Sequence, residues 1–249
     1  MSNLSLILTF SLVLLSLALS YKEKLGLEKD MLIASARAVI QLTLIGFVLK
    51  FVFALDNLLF TTIILLLMVY NASTVAAKRG EGIEKATLIS FTAILSGLAI
   101  TLGVLISFRA IPYEPSQVIP ISGMVVGNSM VATSLLFKSL LNNFKNKKEE
   151  IEVKLCLGAP PKEASINLIR DSIKTAMLPT FDSMKTLGIV QLPGMMTGLI
   201  LAGIAPETAI KYQIMVAFML AGAVSVSSFI ASYWTYRSFF NKLAQLKEV

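Results

Sequence analysis

The sequence predicts an all-α, polytopic membrane protein of about seven transmembrane helices, N-out/C-in, with an amphipathic cytoplasmic helical hairpin between spans five and six. Three observations predict it. Hydrophobic residues fill 55% of 249 positions and charged ones 15%, with a mean hydropathy of +0.77, which is more apolar surface than a soluble domain of this size can hide. The apolar residues gather into segments near the length that crosses about 30 Å of hydrocarbon. The basic residues fall on alternate connections between those segments. Apolar segments reach both ends of the chain, which predicts one transmembrane domain over 1–249, with the polar stretch 138–176 as a cytoplasmic loop within it.

The segments are 4–19, 32–53, 58–76, 88–108, 118–137, 187–202 and 214–234. The first has the length of a secretory leader. It lacks a basic start, however, and Lys22 and Lys24 follow it, so it reads as a retained span. The sixth is short. The stretch 173–186 before it contains Pro179, and Pro193-Gly194 lies near its middle, so together they read as a broken or tilted element. With the N-terminus outside, the inner connections carry Lys22, Lys24 and Lys29, then Lys78, Arg79 and Lys85, then eight bases from Lys138 to Lys174, then Arg237, Lys242 and Lys247. Only Lys50, Arg109 and Lys211 lie outside, and this asymmetry sets the orientation. It also accounts for the net charge of +7 without a nucleic-acid partner, since basic loops rest against anionic lipid headgroups. The location that follows is a cell membrane, crossed several times; in a Gram-negative source it would be the inner one.

Cys156 is the only cysteine, which rules out an internal disulfide, and there is no histidine. The commonest transition-metal ligand and the Ser-His-Asp triad are therefore missing. No Gly-x-x-x-x-Gly-Lys-Ser/Thr loop occurs, so the chain cannot use ATP by that route.

Within the spans, polar residues are the candidates for function, because each costs free energy in hydrocarbon unless it faces protein, water or cargo. Arg37 and Gln41 share a face of span two, as an inward-facing polar stripe or as a snorkelling arginine beside a helix-bonding amide. Asn71, with Ser73 and Thr74, makes a similar polar end to span three, or glue between helices. In span five Gly123 and Gly127 form a small-xxx-small surface, followed by Asn128 and Ser129 between the deformable Met124 and Met130. Asp182 and Lys185 are three apart, so they pair structurally, or Asp182 offers a fixed negative charge, and hence a metal contact, at the inner mouth. Around the next break, Gln191, Pro193, Met195 and Met196 suggest a moving or cargo-facing element with carbonyls freed at Pro193-Gly194.

The loop itself is patterned. Ile151, Leu155 and Ala159 form one stripe, and Ile166, Leu168, Ile169 and Ile173 supply another. Gly158-Ala159-Pro160-Pro161 separates them, which predicts two short helices across the membrane surface with a turn between. The hairpin is either a simple interfacial element or a plug for a separate motor protein.

The strings Gly123-Met124-Val125-Val126-Gly127-Asn128-Ser129-Met130, Leu157-Gly158-Ala159, Gln191-Leu192-Pro193-Gly194-Met195-Met196-Thr197-Gly198 and Ala209-Ile210-Lys211-Tyr212-Gln213-Ile214 resemble the FetB/YbbM family over essentially the whole chain. Its members are membrane permeases of ABC transporters implicated in iron export, and plant relatives are linked to aluminium tolerance. The resemblance implies a soluble ABC ATPase partner that carries ATP and Mg, a permease homodimer, iron as substrate, and no cofactor in this chain. It also implies that Glu152, Leu155, Gly158, Ala159 and Arg170 form the ATPase-coupling surface. The six-residue separation of Glu152 and Gly158 is faintly similar to the coupling loop of bacterial ABC importers. For iron, oxygen donors are needed, and the candidates are Asp182, Glu207 and carbonyls near Pro193. An autonomous cation channel or secondary carrier, and a membrane scaffold, are the competing readings. An enzyme is the least supported, for want of a nucleophile-base set.

Overall fold

Proline opens three of the long helices. Pro115, Pro161 and Pro206 each occupy a first turn, where the missing N–H forfeits no intrahelical bond and the fixed φ suits the helix. Asn57 caps a fourth, its side chain accepting from the N–H groups of Leu59 and Phe60 at 2.9 and 3.4 Å. In the computed structural model, which describes residues 8–55 and 57–247, the helices are α1 (Ser11–Lys22), α2 (Glu28–Leu55), α3 (Leu58–Lys78), α4 (Ala86–Ser107), α5 (Pro115–Asn146), α6 (Lys148–Cys156), α7 (Pro161–Thr186), α8 (Gly194–Leu201) and α9 (Pro206–Thr235), followed by a 3-10 turn (Tyr236–Phe239). They fall into two units, Met1–Asp56 and Asn57–Val249.

In the N-terminal unit α1 packs on α2, and Ser20 Oγ donates to Glu28 Oε1 across their junction at 2.8 Å. The expected span 4–19 begins outside the described residues and continues into α1, while the expected span 32–53 lies within α2. In the second unit α5 touches α3, α4, α7 and α9, and α9 touches α4, α5, α7 and α8. Among the described residues five helices, α2 to α5 and α9, are long and apolar enough to cross a membrane. The chain is thus an all-α polytopic membrane protein, and five of the seven expected segments are long helices.

The α4–α9 seam is built from small side chains. Ala86, Ser90, Ala93, Gly97 and Thr101 recur every three or four residues on α4 and are all buried. A Cβ added at Gly97 would sit 2.9 Å from the Ala223 carbonyl oxygen on α9 and 3.6 Å from Ser227 Cβ. Without a hydrophobic force between helices in lipid, such close approach is what holds a bundle together. The close approach expected at Gly123 and Gly127 is not made within this chain. A Cβ at Gly127 would meet nothing within 4 Å, and one at Gly123 would meet only Met68 Cε at 3.4 Å.

The expected sixth span, 187–202, is not one helix. Thr186 ends α7, a short turn follows, and α8 has eight residues, about 12 Å of rise against about 30 Å of hydrocarbon. Pro193 is the N-cap of α8, and a proline there cannot continue a preceding helix.

The polar stretch from 138 also differs from a loop. It continues α5 to Asn146, forms α6, and then enters α7, a helix of 26 residues. Ile151, Leu168, Ile169 and Ile173 are buried in one core with Leu140, Phe144 and Phe239, and the Phe144 and Phe239 rings stack at 4.0 Å. The apolar stripes of the expected surface hairpin therefore meet protein. The chain's end closes this core from outside: Lys247 Nζ donates to Glu84 Oε1 at 2.6 Å, and that lysine holds the Glu84 carboxyl below its ordinary pKa. The bases of the α3–α4 turn, of α6 with the start of α7, and of the tail thus gather at one end of the second unit, while Lys211 shares a groove with Phe108 and Ala110 at the other.

Candidate functional site

α7 runs from the α6–α7 turn to a cavity of about 290 Å³ between α5, α7 and α9. Pro179, Thr180, Ser183 and Met184 line it from α7, Asn128, Val131 and Leu135 from α5, Gln213, Ala217 and Leu220 from α9, and Leu187 and Pro193 from the turn after α7. On α7 these positions recur every three or four residues, so one helical stripe faces the cavity. Pro179 has no N–H for the carbonyl of Thr175, which weakens α7 beside the cavity. A second space of about 530 Å³ adjoins it between α8 and α9, sharing Met184, Leu187, Pro193, Gln213 and Ala217 and adding Met196.

The cavity's polar groups are neutral. Asn128 Nδ2 donates to the Met124 carbonyl one turn back at 2.8 Å, which satisfies part of the amide inside its own helix. The side-chain oxygen of Gln213 is buried and has no hydrogen-bond partner among the described residues. A buried acceptor without a donor costs about 1–3 kcal/mol; among the described residues the hydroxyls of Ser90, Ser122, Ser129, Thr133, Ser228 and Thr235 share that state, and Gln213 differs from them in lining the cavity. Amide and hydroxyl oxygens are hard donors, but without charge they stabilise a bare multivalent cation weakly. No group of three or more His, Cys, Asp or Glu is placed to hold a metal among the described residues.

The expected pathway residues separate in the structure. Asn128, Pro193 and Met196 line the two spaces. Met124, Ser129, Met130 and Met195 line neither, and Ser129 is fully buried on another stripe of α5. Asn71 is exposed on α3, and its carbonyl accepts from the Thr74 hydroxyl at 2.7 Å. Arg37 and Gln41 lie on α2 in the N-terminal unit. Gln191 closes the end of α7: its Nε2 donates to the Ser183 carbonyl at 3.2 Å, one of the carbonyls a helix end leaves unpaired. The carbonyl of Pro193 is not free either, accepting from the Thr197 N–H at 3.0 Å and its hydroxyl at 3.1 Å.

Asp182 does not line the cavity. Its carboxylate accepts from Lys185 Nζ at 2.8 Å, and both side chains are more than half exposed. Asp182→Asn is therefore expected to leave assembly and transport close to the parent, as measured by detergent-extracted yield and uptake or efflux in vesicles. Lost transport with normal yield would instead put this carboxylate on the pathway.

The expected coupling residues divide too. Leu155 and Ala159 pack against the inner core. Glu152 pairs loosely with Lys148 at 3.8 Å, and Gly158 adopts φ +89 with open space beyond its Cα. Lys154 bonds Glu150 at 2.6 Å and holds that carboxyl below its ordinary pKa. Arg170 is elsewhere, about two and a half helical turns along α7 in a groove against α9. Sequence reasoning missed Gln213, Thr180 and Ser183 as cavity residues. For Gln213 the signal was present, an amide at the edge of an apolar run.

Comparison with known proteins agrees with this architecture. The family described as "Uncharacterised protein family (UPF0014)" matches residues 3–240. The chain is 51% identical over 245 residues to "Probable iron export permease protein FetB" of Escherichia coli (strain K12), covering 98% of this chain and 95% of that one. It is 43% identical to "UPF0014 membrane protein YjkA" of Bacillus subtilis (strain 168), covering 100% and 99%, and 37% identical to "Protein ALUMINUM SENSITIVE 3" of Arabidopsis thaliana, covering 94% and 86%. No solved structure matches it. Relatives of this kind, matched over most of their length, occur in both bacteria and plants.

Proposed function

The chain belongs to the uncharacterised protein family UPF0014, and on that footing we propose that it is the membrane permease subunit of an ATP-driven ABC exporter whose cargo is iron or a related metal ion. The observation that carries the mechanism is α7. One helix of 26 residues begins at the exposed Gly158–Pro161 turn and ends beside the cavity at Pro179, Ser183 and Met184. Over about 39 Å a continuous helix passes a push at one end to the other, and Pro179 gives it a place to bend.

In this reading a soluble ATPase binds ATP and Mg, closes as a pair, and presses on the α6–α7 turn of each of two permease copies, the stoichiometry closed symmetry favours. α7 then shifts against α5 and α9, and the cavity opens alternately to the two sides. The basic end of the second unit faces the cytoplasm under the positive-inside rule, which gives N-out/C-in in a cell membrane. The iron assignment is supported by the name of the Escherichia coli relative. The neutral donors Asn128 and Gln213 suit a weakly held or complexed metal, which a transporter must release again.

Gly158 tests the coupling step. Its left-handed φ admits only glycine without strain, and nothing lies within 4 Å of its Cβ direction. Gly158→Trp is expected to leave the spans inserted and the yield near normal, yet to remove stimulation of the partner's ATP hydrolysis. Unchanged stimulation with intact insertion would remove this turn from the docking surface.

A further inference from the structure

A groove of about 510 Å³ between α7 and α9 is used by neither the cavity nor the turn. Arg170 and Lys174 stand one turn apart at its polar end, and neither forms an ion pair among the described residues. The same stripe of α7 then becomes apolar with Leu178 and Phe181, and α9 closes the other wall with Phe229 and Tyr233. Polarity therefore changes along the groove in the order of a phospholipid, cationic where a phosphate lies and apolar where an acyl chain follows.

The depth agrees. Tyr233, Trp234 and Tyr236 cluster near the end of α9, as aromatic residues do at a membrane–water boundary. Lys162 Nζ lies 5.6 Å from the Tyr233 ring centre and adds a third cation there. Two unpaired cations at such a boundary have no protein partner to neutralise them, and basic pockets between membrane helices on the cytoplasmic side hold anionic headgroups.

We infer that the α7–α9 groove is a binding site for one anionic glycerophospholipid, its phosphate between Arg170 and Lys174 and an acyl chain along Leu178, Phe181 and Phe229. The lipid bridges α7 to α9, so its occupancy resists the movement of α7 relative to α9. That resistance rests on the α7 movement proposed above, whereas the binding itself requires neither the ATPase nor the cargo.

Native mass spectrometry of the full chain, purified in mild detergent and titrated with phosphatidylglycerol or phosphatidylcholine, tests it. The expected result is one phosphatidylglycerol retained per chain in preference to phosphatidylcholine. Arg170→Gln with Lys174→Gln should weaken that retention roughly tenfold or more, Arg170→Lys with Lys174→Arg should keep it, and Lys145→Gln with Lys147→Gln should not disturb it. Both groove positions are exposed, so the variants keep their fold, which thermal unfolding verifies. Equal retention of the two lipids, or undiminished phosphatidylglycerol on the double glutamine variant, overturns the inference; a loss shared by the Lys145/Lys147 control shows general charge attraction and overturns it equally.

Discussion

Gly97→Leu is expected to destabilise the second unit by about 3 kcal/mol or more, enough to remove most folded protein from the membrane. The added Cβ alone would lie 2.9 Å from the carbonyl oxygen of Ala223, so backbone has to move before any further atoms of leucine are placed. Backbone of one helix cannot yield without loosening its neighbours, and α9 also supports α5, α7 and the cavity. The control is on the same helix: a Cβ at Gly103 meets nothing within 4 Å. Gly103→Leu should therefore be neutral. Thermal unfolding in detergent separates the two, and a Gly97→Leu protein as stable as its parent would show that the α4–α9 approach is looser than described.

Gln213→Leu is expected to move stability and transport in opposite directions. Its oxygen is buried without a donor, so an isosteric apolar side chain removes an unmet acceptor and should raise stability by about 1 kcal/mol. The same change takes a hard donor out of the cavity that Asn128 shares, and transport should fall about tenfold, the worth of one polar contact to cargo. Both readouts come from one purified protein, first by thermal unfolding and then in proteoliposomes. A transport rate equal to the parent's would take this oxygen off the pathway, and a large loss of stability would show that it has a structural partner.

The long spans were legible in the sequence because apolar length is a direct consequence of bilayer thickness, and α3, α4, α5 and α9 fall close to the expected segments. The break after Thr186 was half legible. Pro179 and Pro193 announced an interruption, but hydropathy could not tell that α7 carries the chain to the cavity while 187–202 supplies only a turn and a short helix. The Asp182–Lys185 pair is legible from the three-residue spacing alone, and the structure joins the two at 2.8 Å. Gln213 is not legible in this way, since an uncharged amide at a span's edge looks ordinary until the helices facing it are known. Arg170 and Gly158 are close in sequence, but the rise of α7 separates them, so only the fold could divide the turn from the groove.

We propose above that this chain works as the membrane half of a machine driven by a separate ATPase. Affinity purification of the tagged chain from its native membrane in mild detergent, followed by mass spectrometry of what accompanies it, shows whether such a partner is present. A soluble ATPase present in a fixed ratio to the permease, and lost with changes at the α6–α7 turn, is the predicted result. Its reproducible absence from abundant, folded permease would contradict the account and leave an autonomous channel or carrier built around the same cavity.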